Sequence, residues 1–374
     1  MNKLTSTVLL AGIPLQNADL FYAAPFSGSD PIVFMKSGRR RCLVVGGMEA
    51  ERARRLFRGR LQVFTPAEIL LNRRPPRTLA DWCLGLLRKF RLRTVRVPGN
   101  FPVGIVQRLE AAGVRVTVCN DPIFPEREIK STQELACIRE SQRAAVAAMQ
   151  TAVGMIRKAE IDSRGRLRDQ AGVLTAERLK QAIHVTMLQH NCMGVGTITA
   201  CGCAAADPHE TGTGPLMAGQ GIVLDIFPRH LEHGYWGDLS RTVVKGDPPL
   251  KLKKMHQAVR RAQRLALANI RAGVIARRIY DLVLDSLTEA GFPTTMSGGV
   301  MEGFIHSVGH GLGLEVHEAP GIGLGTNRLR AGQVVTVEPG LYYREIGGVR
   351  IEDVVVVTAT GRRVLYPCPH VFRL

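Results

Sequence analysis

The sequence predicts an α/β domain followed by an α+β domain built on an antiparallel sheet. Three observations carry this. Residues 1–127 alternate short β-rich runs with helical ones, the pattern of a βαβ-type unit. From residue 128 onward, long helices with apolar residues at helical spacing separate strand-like runs. At 374 residues the chain exceeds the usual size of one domain, about 100–200 residues, so two are expected.

In the first domain, residues 8–13 read as a strand stopped at Pro14. The run is shorter than a signal-peptide core and has no cleavage site. Residues 41–45 form the next expected strand, ended by Gly46 and Gly47. Residues 48–58 are helical in character and 62–64 extended. A helix over 79–90, a strand over 94–97, a helix over 101–112 and a strand over 114–118 follow. Asn120, Asp121, Pro122 and Pro125 punctuate the exit, setting the boundary at residue 127.

The second domain, 128–374, opens on Ser131-Thr132-Gln133-Glu134, a capping box in which hydroxyl and carboxylate each satisfy an orphan backbone N–H. The helix it starts runs to about residue 158, with Leu135, Ile138, Ala145, Ala148, Met149 and Val153 at helical spacing. Further helices span 175–189, 250–272 and 278–290, the last two stopped at Gly273 and Gly291. Strand-like runs occupy 221–227, 240–245, 333–338 and 349–358.

Composition excludes some functions. With 45% hydrophobic and 22% charged residues, the chain is not mainly disordered. No apolar run approaches the roughly 20 residues of a membrane span. The eight cysteines are mostly scattered and form no CxxC pair, so a disulfide scaffold or zinc knuckle is not expected. A soluble, cytoplasmic protein with reduced thiols is the reading. The net charge of +18 raises nucleic acid or an anionic membrane as a partner. Residues 1–127 carry 21 basic against 9 acidic side chains, and 128–374 carry 29 against 23. The excess is dispersed, as in Arg39-Arg40-Arg41, Arg54-Arg55 and Arg73-Arg74, which reads as a solvated basic surface.

Acid and imidazole groups concentrate in five segments of the second domain. These hold Asp225; Asp238; the histidines His306, His310 and His317; Glu338; and Arg350 with Glu352. A carboxylate inside an apolar strand, as at Asp225, Glu338 and Glu352, costs several kcal/mol unless compensated. Arg350, two residues from Glu352 on the same strand face, is one compensation. Taken singly, each acid reads as a salt-bridge or strand-end residue. Four carboxylates and a histidine together read instead as the hard-ligand set of two divalent cations.

The set resembles the pita-bread metallopeptidases, the family of methionine aminopeptidase, Xaa-Pro aminopeptidase, prolidase and creatinase. The stretch from Gly309 and His310 to His317 and Glu318 is similar to the family's GHGxGLxxHE signature. Thr336-Val-Glu338-Pro-Gly-Leu-Tyr342 resembles its TxEPGxY strand, and Val349-Arg350-Ile-Glu352-Asp353 its xRIED strand. Asp225 and Asp238 match the paired aspartates of its first hairpin. The first domain is similar in placement to that of the Xaa-Pro and creatinase branch.

The resemblance implies that Asp225, Asp238, His310, Glu338 and Glu352 ligate two divalent metal ions, with Asp238 and Glu352 bridging. Manganese is the first expectation, with Co, Zn or Fe as alternatives. It further implies that His317 contacts the developing tetrahedral intermediate, His306 the substrate carboxylate or peptide, and His209 the neighbourhood of the scissile bond. Arg350 would steady the bridging carboxylate. The implied activity is that of an Xaa-Pro aminopeptidase or dipeptidase, by attack of a metal-bridged hydroxide, with Glu338 as candidate acid. Peptide or dipeptide substrate and a homodimer are the implied partners. One departure is the hairpin: Asp225 and Asp238 flank a long turn whose His230 and His233 are expected to face solvent.

Two alternatives stand beside this reading. A metal-free, creatinase-like C–N hydrolase is opposed by the intact carboxylate set. A non-catalytic protein of the same fold, binding nucleic acid or protein, has only the basic first domain in its favour. The low aromatic content, 5%, argues against a nucleic-acid stacking surface.

Overall fold

The apolar run near the start of the chain becomes β1 (Val8–Gly12), an inner strand of a six-stranded sheet. The computed structural model describes residues 7–69, 77–120 and 122–374, so Arg73, Arg74 and Asp121 lie outside the described residues. Two units divide the chain, Met1–Pro125 and Glu126–Leu374.

In the first unit β1 pairs with β2 (Ile32–Ser37), β2 with β3 (Arg40–Val44) and β3 with β4 (Gln62–Phe64). On its other side β1 pairs with β5 (Thr94–Pro98), and β5 with β6 (Arg115–Cys119). The order is β4-β3-β2-β1-β5-β6, and β2 alone runs against the others. Leu9, Ala11, Val33 and Met35 face a core shared with the helices Leu79–Lys89 and Val103–Ala111. Leu10, Phe34 and Leu43 face the opposite core, which holds Leu20, Ala53 and Phe57. Burial on both faces explains why these strands are continuous apolar runs. β2 and the short helix Ala18–Ala23 were not anticipated. Each is too short for its period to stand out between Pro and Gly breaks.

The second unit opens with α1 (Thr132–Lys158), whose capping box forms as expected: Ser131 Oγ accepts the Glu134 N–H and Glu134 Oε2 the Ser131 N–H. α1 and α2 (Ala176–Gln189) share a core with Ile222, Leu224 and Ile226. Those three residues lie on one face of β8 (Ile222–Ile226), the middle strand between β7 (Ile198–Cys201) and β9 (Leu239–Val243). A second helix pair, α3 (Leu250–Asn269) and α4 (Ala276–Glu289), packs against Val335, Val337, Val349 and Val355.

The strands behind that second core are β10 (Gly309–Gly311), β11 (Glu318–Ile322), β12 (Val334–Val337), β13 (Gly340–Tyr343), β14 (Gly347–Arg350) and β15 (Asp353–Val357). With Arg362–Val364 they make a five-stranded sheet, ordered β11-β10-β12-β15 and then the last strand, and the β13–β14 ribbon. The single strand expected over 349–358 is two strands. β14 pairs with β13, β15 pairs with β12, and the chain changes partner at Ile351–Glu352. In both halves the strand period of two sends one set of residues to the helices and leaves Asp225, Thr336 and Arg350 on the other face. Among the described residues no helix is long and apolar enough to cross a membrane.

Candidate active site

Asp225 lies in β8 opposite Ser240 of β9, on the face away from α1. Asp238 immediately precedes β9. Its backbone is gripped at both ends by the buried Gln142 of α1: the Asp238 N–H donates to Gln142 Oε1 (2.8 Å) and Gln142 Nε2 donates to the Asp238 carbonyl (2.6 Å). Gln142 is a polar residue on the apolar face of its helix, the only mark by which the sequence could have pointed to it.

His310 is the middle residue of β10. The strand can lie close to β12 because Gly309 has no side chain; a Cβ there would collide with the Thr336 carbonyl. Thr336 Oγ1 accepts the His310 N–H (3.0 Å) and donates to Glu338 Oε1 (3.1 Å). His310 Nδ1 donates to the Gly311 carbonyl at 3.1 Å. That fixes the ring so that Nε2 faces Glu338 Oε1 at 3.1 Å and Asp238 Oδ2 at 3.7 Å. Burial by itself would lower the His310 pKa, but Glu338 and Asp238 outweigh it and hold it up at about 9. Glu338 is buried as well, which opposes ionisation, yet His310 beside it holds its carboxyl down at about 2. To act as an acid, a Glu338 carboxylate held in its ionised form by His310 would first have to take up a proton.

Arg350 does not take the expected partner. Its Nη2 donates to Asp225 Oδ2 (2.7 Å), its Nη1 to the Tyr342 hydroxyl (2.7 Å), and its Nε to Ser240 Oγ (3.0 Å). Ser240 in turn donates to Glu352 Oε2 at 3.1 Å, so the hydrogen-bonded path from Arg350 to Glu352 runs through that hydroxyl, and the Arg350 charge also favours the ionised Glu352. Arg350 and Glu352 lie on the same side, as period-two counting expects, with Ser240 Oγ bonded to both.

The residues fit divalent cations. Asp225 Oδ1 and Glu352 Oε1 are buried with no hydrogen-bond partner. One ligand atom each from Asp238, His310 and Glu352 lies within 4.8 Å of the others. Burial, and then the charge of the neighbouring carboxylates, pushes the carboxyls of Asp238 and Glu352 well above the usual range. A cluster of acids whose ionisation is opposed by mutual repulsion is stabilised by added positive charge. Oxygen donors with one imidazole, its far nitrogen tied to a carbonyl, are a ligand set for such a cation.

A cavity of about 730 Å³ contains all nine residues singled out from the sequence in its wall. His317 is exposed to it and meets His310 edge to face, with ring centroids 4.3 Å apart. Burial, and then His310, lowers its pKa, favouring the neutral ring. His209 is exposed on the loop whose Pro208 carbonyl accepts from Arg350 Nη1 (3.3 Å). Both ring nitrogens of His306, the expected substrate contact, are hydrogen-bonded within the protein. Nδ1 donates to the Ser307 carbonyl (2.7 Å), and Nε2 accepts from the Tyr342 hydroxyl (3.0 Å). Tyr342, Ser240 and Thr336 are site residues that sequence reasoning did not single out. Thr336 and Tyr342 stood inside a quoted motif, while Ser240 carried no signal beyond its place two residues from Asp238.

The turn between the aspartates is also not as expected. His230 and His233 are half-buried rather than solvent-facing, with rings stacked at 3.7 Å, and His233 Nε2 lies 3.2 Å from Glu140. Burial, followed by the charge of His230, lowers the His233 pKa to about 4.

Residues 136–359 match the model of metallopeptidase family M24. Over 173 residues the chain is 38% identical to the uncharacterized peptidase YqhT of Bacillus subtilis, a match covering 46% of each chain. Over 278 residues it is 30% identical to an Xaa-Pro dipeptidase of Pyrococcus horikoshii, covering 73% of each. The chain therefore spans about half the length of the first relative and about three quarters of the second. The solved structure of an Xaa-Pro dipeptidase from Bacillus anthracis matches at a TM-score of 0.83 and 25% identity, over 99% of this chain and 95% of that one. Such coverage gives the fold as an α/β domain followed by a pita-bread domain. With its family model matched over more than half its length, the chain belongs to metallopeptidase family M24.

Proposed function

We propose that the protein is a dinuclear metal-dependent exopeptidase that releases the N-terminal residue of Xaa-Pro peptides or dipeptides. The observation that carries this is the cluster of Asp225, Asp238, His310, Glu338 and Glu352 in one cavity, with two buried carboxylate oxygens lacking partners. These five residues would hold two divalent ions, manganese being the first candidate. When bound, such ions supply Lewis acidity, acidifying water and polarising a carbonyl.

The chain's own groups supply the rest. His317 presents an exposed imidazole in the wall of the cavity, where its N–H would meet the oxygen on which charge develops. His209 lines the same wall and would stand beside the scissile bond. Arg350 donates to Tyr342, and Tyr342 to His306, so the His306 proton stays on Nδ1. His306 would meet substrate only by exchanging its bond to Tyr342. Arg350 also locks Asp225 and, through Ser240, Glu352. Glu338, once protonated during turnover, would pass a proton to the leaving nitrogen.

The relatives' names support a peptide substrate with proline in the second position. The same proposal takes residues 1–127 as a creatinase-type N-terminal domain, a homodimer as the working assembly and the cytoplasm as its location. The test is a panel of dipeptides with and without proline at the second position, assayed before and after chelation. Chelator-sensitive release from Xaa-Pro substrates is expected. Full activity after exhaustive metal removal would overturn the proposal.

A further inference from the structure

His317 is exposed and, among the described residues, its imidazole makes no hydrogen bond. Among the described residues its one ring contact is the edge-to-face packing on His310. The backbone of the 312–318 loop must therefore decide where it sits, and that loop is wound around one carboxylate. Glu318 Oε2 accepts the Glu315 N–H (3.4 Å). Gly313 lies so close that a Cβ there would meet the Glu318 carboxyl.

Two cations hold this carboxylate. Lys130 Nζ pairs with Glu318 Oε1, and Arg127 Nη2 donates to Glu318 Oε2 at 2.7 Å. Arg127 also reaches Glu315 Oε2 at 2.9 Å. The Lys130 side chain is 1% exposed and that of Glu318 8%, so this is a buried pair rather than a surface one. The cations are themselves fixed. The Lys130 N–H donates to the Gly332 carbonyl at 2.9 Å, and Glu128 accepts from Arg330 and Gln333 at 2.6 and 2.9 Å. That turn leads directly into β12, the strand that carries Thr336 and ends at Glu338. Segment 127–130 thus ties the start of one site strand to the loop bearing His317.

We propose that Arg127 and Lys130 are positioning residues for the reaction: by clamping Glu318 they hold the 312–318 loop so that His317 faces the carboxylate cluster. This rests on the role proposed above for His317, and the experiment separates the two. The kcat and KM of the metal-loaded protein on an Xaa-Pro dipeptide are measured for Lys130→Met, His317→Ala and the double variant, with metal content and Tm recorded. Lys130→Met is expected to lose tenfold or more in kcat, with KM changed less than twofold and metal content at the wild-type level. The double variant should be no slower than His317→Ala, since a residue acting only through His317 has nothing left to lose. Losses that multiply in the double variant, or a Lys130→Met enzyme with wild-type kcat, would overturn the inference while leaving the role of His317 intact. A fully active His317→Ala would instead remove that role, and the inference with it. If Lys130→Met does not fold, Arg127→Met takes its place in the same comparison.

Discussion

Tyr342 is the residue through which two sides of the site communicate. Its hydroxyl accepts from Arg350 and donates to His306, and the side chain is buried. Removing that oxygen leaves one guanidinium donor and one imidazole acceptor without a partner, a loss of about 1–3 kcal/mol. Tyr342→Phe is therefore expected to lower Tm by several degrees and to reduce kcat/KM, as read by differential scanning fluorimetry and dipeptide kinetics. A second residue tests the interior away from the site. His256 in α3 is buried and stacks on Phe372 at 3.9 Å. Burial, with Arg260 and His370 adding to it, lowers its pKa to about 4 from an ordinary 6.5. The unfolded chain then binds the proton more tightly than the folded one. Its contribution is complete above pH 6.5 and is lost as pH falls toward 4, reaching about 2 kcal/mol by pH 5. His256→Phe keeps the stack and removes the titration. In urea denaturation, wild type should lose more stability than this variant between pH 7 and pH 5.

At the scale of elements, the start of α1 does more than end a helix. Glu134 closes the capping box with Oε2 and accepts the Tyr235 hydroxyl with Oε1 at 2.8 Å. Tyr235 lies on the turn that delivers Asp238, and Ser141 of the same helix donates to the Tyr235 carbonyl at 2.9 Å. Ser131→Ala should therefore cost about 1 kcal/mol, the value of an N-cap. Glu134→Ala removes the cap partner and the Tyr235 anchor together and should cost more, as measured by chemical denaturation. The sequence made the cap legible because its residues are three apart. The anchor on Tyr235 was not legible, because the two residues are 101 apart and meet only when the hairpin folds back on α1. The same distance effect hid the direct partner of Arg350. Residues 349 and 351 do face the helix core, as counting by two requires, but the partner of Arg350 is Asp225, 125 residues away.

For the whole molecule, the placement of the charges matters more to the proposed chemistry than the net charge of +18. The basic side chains of the first unit are mostly exposed, and some are absorbed locally: Arg40 stacks on Phe90 and Arg52 on Phe26, each at 4.2 Å, while Arg54 pairs with Glu51 and Glu68. In the second unit many carboxylates are paired in the same way, but Asp238 and Glu352 are buried among other acids and, among the described residues, form no ion pair with Arg or Lys. A divalent ion that binds only the folded chain should stabilise it by roughly 2.7 kcal/mol at a hundredfold excess over its Kd. Tm is accordingly expected to rise with added manganese and to fall with chelator. Asp238→Asn should abolish most of that shift together with hydrolysis, and an unchanged metal response in this variant would exclude Asp238 as a ligand.

Local spacing made legible the longer helices, the capping box of the first long helix of the second domain and which residues share a strand face, because each depends on neighbours a few positions apart. It also marked the candidate ligands, since a carboxylate inside an apolar strand is conspicuous wherever the chain folds. Tertiary structure alone decided what those groups touch. It made Arg350 the partner of Asp225, closed both nitrogens of His306, set Gln142 against Asp238 and turned the hairpin histidines inward. The reason is physical: these contacts join residues on separate strands and helices, and their geometry is fixed by sheet register and packing, which local spacing does not encode.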